Sequence, residues 1–238
     1  VLLEHVNLTI PDQRLATAFY VSGLGLTRDP CLMTGVTNMW INIGRSQIHL
    51  PHGDAQRLRG HVALVVGKRQ SLTARLRAVR PLLDGTAFGW TERAGRVALT
   101  CPWGNRYDCL DPDAYQADAP WSGIDLGIAY VQLDVPVGCA GSIAAFYRDV
   151  FNASVEIRDC NGSQQALIAV GTYQRLVCAE TLAPKPGIRW ASHSALCRQL
   201  LGTLHTARWA RADLWRGTSS ISLCRHHRSR ERRAVLQA

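Results

Sequence analysis

The densest run of chemically capable side chains in this 238-residue sequence is Arg225 to Arg233, RHHRSRERR. Arginines suit phosphate and paired imidazoles suit a metal, so the run reads as a nucleic-acid tail, a metal segment, or a stretch never selected as protein. Elsewhere the capable side chains sit in alternating patterns. His5 opens one such pattern and His61 another, Trp40 and Asn42 fall on one face of a third, and Gln47 and His49 share a face of a fourth. A histidine on a strand serves as readily as a satisfied structural residue as it does as a ligand. His49 and His52, near a hairpin end, suit surface or pocket roles. The eight cysteines, at 31, 101, 109, 139, 160, 178, 197 and 224, include no C-x-x-C pair, so reduced thiols and a cytoplasmic setting are expected.

Charge narrows the classes further. Of the net +9, residues 189–238 carry +8, from ten arginines against Asp213 and Glu231, which leaves the first 188 residues nearly neutral. A nucleic-acid-binding domain usually spreads its basic residues over a folded face with polar or aromatic partners, so nucleic acid is not expected as a partner. No apolar run approaches the roughly 20 residues needed to cross a bilayer, and no membrane partner is expected.

The elements that must position these residues repeat. In LEHVNLTIPDQRLATAFYVSGLGL, His5, Asn7 and Thr9 alternate with Val6, Leu8 and Ile10, giving a half-buried strand. Pro11-Asp12 ends it and starts an amphipathic helix with Leu15, Ala18 and Phe19 inward. NMWINIG and SQIHLP then form a hairpin through Gly44-Arg45. The unit restarts at GHVALVV, with a helix over 70–80, and closes with RVALTCPWGNRYDCL, two strands around Pro102-Trp103-Gly104-Asn105. The chemistry of Gly and Asn explains that turn by itself. A third start, AYVQLDVPVGCAGSIAAFYRDVFNA, echoes the first at a period of 125 residues, from Val6 to Val131. Residues 1–115 are therefore expected as one domain and 116–125 as a linker, with a second domain opening at 126–186.

Strand, helix and three strands, used twice per domain, resembles the vicinal oxygen chelate superfamily of glyoxalases, bleomycin and fosfomycin resistance proteins and extradiol dioxygenases. HVNLTIPD, AFY, GLGL, GHVALVV and CPWGNRYD carry the resemblance, over residues 1 to about 180. It implies an α+β fold of paired βαβββ modules forming a cupped mixed sheet, one domain complete and the second C-terminally incomplete. It also implies a divalent metal, Fe, Mn, Zn or Ni, held by a His opening the first strand of each module and an acid on the last strand: here His5, His61 and Asp108. Two imidazoles and a carboxylate leave positions open for substrate oxygens, which a Lewis-acid metal would polarise. Asp108 departs from the family's Glu by one methylene, and pairing with Arg106 or Arg45 is its alternative role. Trp40, Asn42, Gln47 and His49 are expected around the substrate pocket. Tyr130 stands where the second domain's first ligand would be. The functions implied are a metal-dependent lyase, isomerase or dioxygenase acting on a small molecule, or a metal-free binding protein of the resistance type. A homodimer is compatible with either.

After Gly187 a fourth module is due, yet RWASHSALCRQLLGTLHTARWARADLW has neither strand alternation nor a long helical stripe. Read one nucleotide later, permitted codons for Trp190 to Cys197 give Gly-His-His-Ile-Ala-Leu-Tyr, a strand of the missing type. In the same frame Leu223 to Arg233 gives Phe-Ala-Asp-Ile-Ile-Asp-Pro-Glu-Ser-Gly-Glu, a closing strand and turn. A frameshift between 182 and 190 is therefore expected. It would make residues 187–238 an aberrant basic tail and the chain a damaged product of an otherwise working gene.

Overall fold

The structure, a computed structural model, describes residues 3–30, 37–67, 69–111, 127–160, 162–171 and 173–182, and the backbone of 221–223. Three successive units have the same order. The first is β1 (Leu3–Asn7), α1 (Gln13–Ala16, continued by a π-helical segment Thr17–Gly23), β2 (Thr27–Arg28), β3 (Asn38–Ile43) and β4 (Ser46–Pro51). The second is β5 (Gly60–Val65), α2 (Arg69–Val79), β6 (Gly89–Arg93), β7 (Arg96–Thr100) and β8 (Arg106–Leu110). The third is β9 (Gly127–Pro136), α3 (Ala140–Phe151), β10 (Val155–Cys160), β11 (Ser163–Ala169) and β12 (Arg175–Thr181).

Local chemistry accounts for these elements. Asp12 caps α1, its carboxylate accepting the Arg14 amide at 2.6 Å and the Leu15 amide at 3.2 Å. Phe19 and Tyr20 are then fully buried. Strand β3 alternates half-buried and buried positions, as a sheet with one packed face must. Its hairpin with β4 pairs Ile43 with Ser46, and Gly44 at φ 57° takes the first turn position, where a two-residue loop favours glycine.

The strands form two sheets, β10-β11-β12-β9-β5-β8-β7-β6 and β13-β1-β4-β3-β2, where β13 is Ile221–Leu223. The second and third modules thus share one eight-stranded sheet through an antiparallel β5–β9 seam. The grouping of 1–115 therefore follows the sequence repeat, while the sheet pairing joins modules across it. The linker 116–125 and most of the tail lie outside the described residues. Beyond the stretch 189–215, where no strand alternation was expected, the tail contributes β13, antiparallel to β1. An edge strand's free amides and carbonyls accept such a partner even where the sequence alternates poorly.

Gly60 makes the seam possible. Its φ is 142°, and a Cβ there would lie 1.8 Å from the Gln132 carbonyl oxygen. On the helix side of the sheet, Val62, Leu64, Val131, Leu72 and Leu76 join Phe19, Tyr20 and Tyr107 in one core. Burial of that side forces the opposite positions, His61, Ala63, Asp108, Tyr130 and Gln132, onto the cup face.

Candidate functional site

Strand register makes the three modules comparable residue by residue. Val6 pairs with Ile48, Val62 with Tyr107 and Val131 with Leu176, so His5, His61 and Tyr130 are equivalent first-strand positions. One residue on, Asn7 faces His49, Ala63 faces Asp108 and Gln132 faces Val177. His49, expected only as a pocket residue, therefore occupies in the first module the place that Asp108 holds in the second.

The eight-stranded sheet gathers His61, Asp108 and Tyr130. His61 Nε2 is 3.3 Å from the Tyr130 hydroxyl and 3.6 Å from Asp108 Oδ2. The same Oδ2 accepts from Arg96 Nη1 at 2.8 Å. Asp108 thus pairs with Arg96, and neither Arg106 nor Arg45 is its partner. Arg106 instead binds Asp134 at 3.2 Å and donates to the Gly60 carbonyl. Ala63, Val65 and Ala129, packed with Leu110, Tyr130 and Tyr173, form a small apolar floor beside the polar groups. Burial is the main influence on His61 and holds its pKa below the ordinary value, against the pull of Asp108. The imidazole is therefore neutral near pH 7. A neutral imidazole in hydrogen-bond reach of a phenol can take up or release a proton as a bound molecule requires.

His5 does not join this group. It stands on the five-stranded sheet, where the rings of Trp40, His49 and His5 form one stack, with centroids 3.9 and 4.0 Å apart and planes 12° and 16° from parallel. Gln47 orders the stack. Its Nε2 donates to Asn42 Oδ1 at 2.7 Å and Asp29 Oδ2 at 3.1 Å, so its Oε1 is the atom facing His49 Nε2 at 2.9 Å. An imidazole nitrogen facing an amide oxygen carries the proton. Burial, and next the neighbouring His5, push the His49 pKa down to about 4, so the ring is neutral and its lone pair lies on Nδ1. Burial lowers His5 as well, opposed by Glu4, whose carboxylate is 3.7 Å from Nδ1. The Trp40 indole N–H is buried with no partner among the described residues.

The proposed ligand triad therefore falls on two sheets. Among the described residues no group of three or more His, Cys, Asp or Glu side chains is placed to hold a metal ion. The His5 and His49 rings stack 4.0 Å apart and 16° from parallel, so their in-plane lone pairs lie in separate, nearly parallel planes. Arg96, next in importance, was not anticipated. Its signal was in the hairpin spacing, since Ala98 faces Asp108 and Arg96 follows on the same face two residues away.

The fold is α+β, built of βαβββ units in two mixed sheets, and it is shared with solved glyoxalase-type structures. Among solved structures it is similar to glyoxalase I from Zea mays, at 14% identity and a TM-score of 0.53, covering 75% of this chain and 66% of that one. It is also similar to a "putative dioxygenase" from Bacillus subtilis subsp. subtilis str. 168, at 14% identity and a TM-score of 0.51, covering 79% and 65%. The chain thus spans about two thirds of the length of these structures. No family model and no curated protein matches the sequence. Among the described residues no helix is long and apolar enough to cross a membrane.

Proposed function

We propose that this chain binds a small molecule on the cup face of its eight-stranded sheet, without a metal ion at that site. His61 and Tyr130 supply the polar contacts, Asp108 holds the arrangement in register, and Ala63, Val65 and Ala129 supply the apolar floor. One observation carries the reading: the Asp108 carboxylate is engaged by a guanidinium at 2.8 Å while His5 belongs to the other sheet. The set His5, His61 and Asp108 does not fit a single metal ion in this arrangement. Trp40, Asn42, Gln47 and His49 form a second polar and aromatic face, and we propose it as a separate contact surface for a ligand. A thermal-shift screen of small molecules, run with and without chelator, tests the reading. Hits that survive chelator and vanish in Tyr130→Phe and His61→Ala support it. Hits that appear only with added Fe, Mn, Zn or Ni and vanish with chelator overturn it.

The same proposal includes a reducing, cytoplasmic setting, supported by the unoxidised thiols of Cys101, Cys109 and Cys160. It also includes a homodimer, which sedimentation velocity tests. The frameshift between 182 and 190 remains our reading of the tail, and it falls outside the described residues.

A further inference from the structure

His61 and Asp108, two of the residues that the family resemblance nominates as metal ligands, close on a guanidinium. Arg96 Nη1 lies 2.8 Å from Asp108 Oδ2, the oxygen nearest His61 Nε2 at 3.6 Å. A divalent cation on that carboxylate would sit about 2.0–2.2 Å from its oxygen, bringing two positive centres within a few ångströms of each other. Like charges that close repel at a partly buried carboxylate, so one cation disfavours the other there. The third module offers no replacement donor set, because the equivalents of His61 and Asp108 there are Tyr130 and Val177.

The positive charge that a metal would bring is supplied by side chains. Arg96 spends one N–H on Asp108, and its side chain is 39% exposed, so part of the guanidinium is open to a ligand from solvent. Arg175 faces Tyr130 across the β9–β12 pair, gives Nη1 to the Gln174 carbonyl, and makes no ion pair among the described residues.

We propose that Arg96 takes the place of the metal cation in this cup and that its free guanidinium edge anchors a carboxylate-bearing small molecule beside His61 and Tyr130. The proposal rests on the metal-free reading above and goes further by naming the resident cation and the ligand class. A planar guanidinium already fixed on one side by Asp108 presents its other N–H groups in the geometry that a carboxylate accepts bidentately.

Titration of the full chain with Co²⁺, followed by visible absorption, tests the substitution. Wild type should show no cobalt band that His61→Ala removes. Arg96→Ala, which frees Asp108, should bind Co²⁺ at least tenfold more tightly than wild type, and Arg96→Ala/His61→Ala should lose the gain. Arg96→Lys keeps the cation and should behave as wild type, which guards against a folding defect in the alanine variant. A His61-dependent cobalt site in wild type, or no gain in Arg96→Ala, overturns the substitution. Calorimetric titration with malonate tests the ligand class: wild type should bind it, and Arg96→Ala should bind at least tenfold more weakly. Absent binding, or equal affinity in the two proteins, overturns that class. A molecule that binds the cup without metal and independently of Arg96 would leave the metal-free reading standing while removing this one.

Discussion

Tyr20 and Tyr107 bury their hydroxyls against each other at 2.6 Å, joining the helical segment of the first module to the last strand of the second. Both side chains are fully buried, and burial raises each phenol well above its ordinary pKa, so the pair stays neutral. Removing one hydroxyl leaves the other without its partner in an apolar core. Tyr20→Phe and Tyr107→Phe should each cost about 1–3 kcal/mol, while the double variant should cost clearly less than their sum. Urea unfolding of the four proteins measures the cycle, and simple additivity would show that the hydroxyls are independent.

Acid should loosen the first module before the rest. The His49 pKa is lowered to about 4 in the fold, against an ordinary 6.5, so the unfolded chain binds the extra proton first. Stability from His49 is complete above pH 6.5 and is lost as pH falls toward 4, a contribution on the order of 3 kcal/mol. His5 and His61, also lowered by burial, act in the same direction. The melting temperature should therefore drop through this window, and His49→Gln should flatten the profile. An equally steep decline in that variant would assign the acid lability elsewhere.

The β5–β9 seam should be intolerant of any side chain at position 60. Gly60→Ala combines a positive φ with a Cβ 1.8 Å from a backbone oxygen, so it should cost well over 1 kcal/mol and open the seam. Hydrogen exchange at Val62 and Val131 should accelerate in the variant. Unchanged protection there would mean that the strands pair without this close approach.

A nucleotide read across codons 180 to 238 should find one base whose removal or insertion restores Gly-His-His-Ile-Ala-Leu-Tyr after residue 189. A confirmed frame, with stops in the shifted one, would make the arginine-rich tail real coding sequence.

Several features of the site were open to a linear reading. Alternation placed Trp40 with Asn42 and Gln47 with His49, and the structure keeps both pairs on shared faces. The turn at Asn105 was legible only as a turn. Its side chain is in fact buried, accepting the Leu58 amide at 2.7 Å and donating to the Gln56 carbonyl at 2.8 Å, which fixes the segment entering β5. Those partners lie 47 and 49 residues away, beyond the range of local turn chemistry.

Periodicity and turn residues determined where the three units begin and which side of their opening strands faces a core, because side-chain alternation is a local consequence of backbone geometry. They also determined that His5, His61 and Tyr130 are equivalent, since equal positions in a repeat occupy equal places in its strands. Which module pairs with which was decided by tertiary structure. That choice depends on seam contacts such as Gly60 against Gln132, made between residues far apart in the chain. It separated His5 from His61, set Arg96 on Asp108 and stacked His49 on Trp40, and with that the chemistry of the cup was fixed.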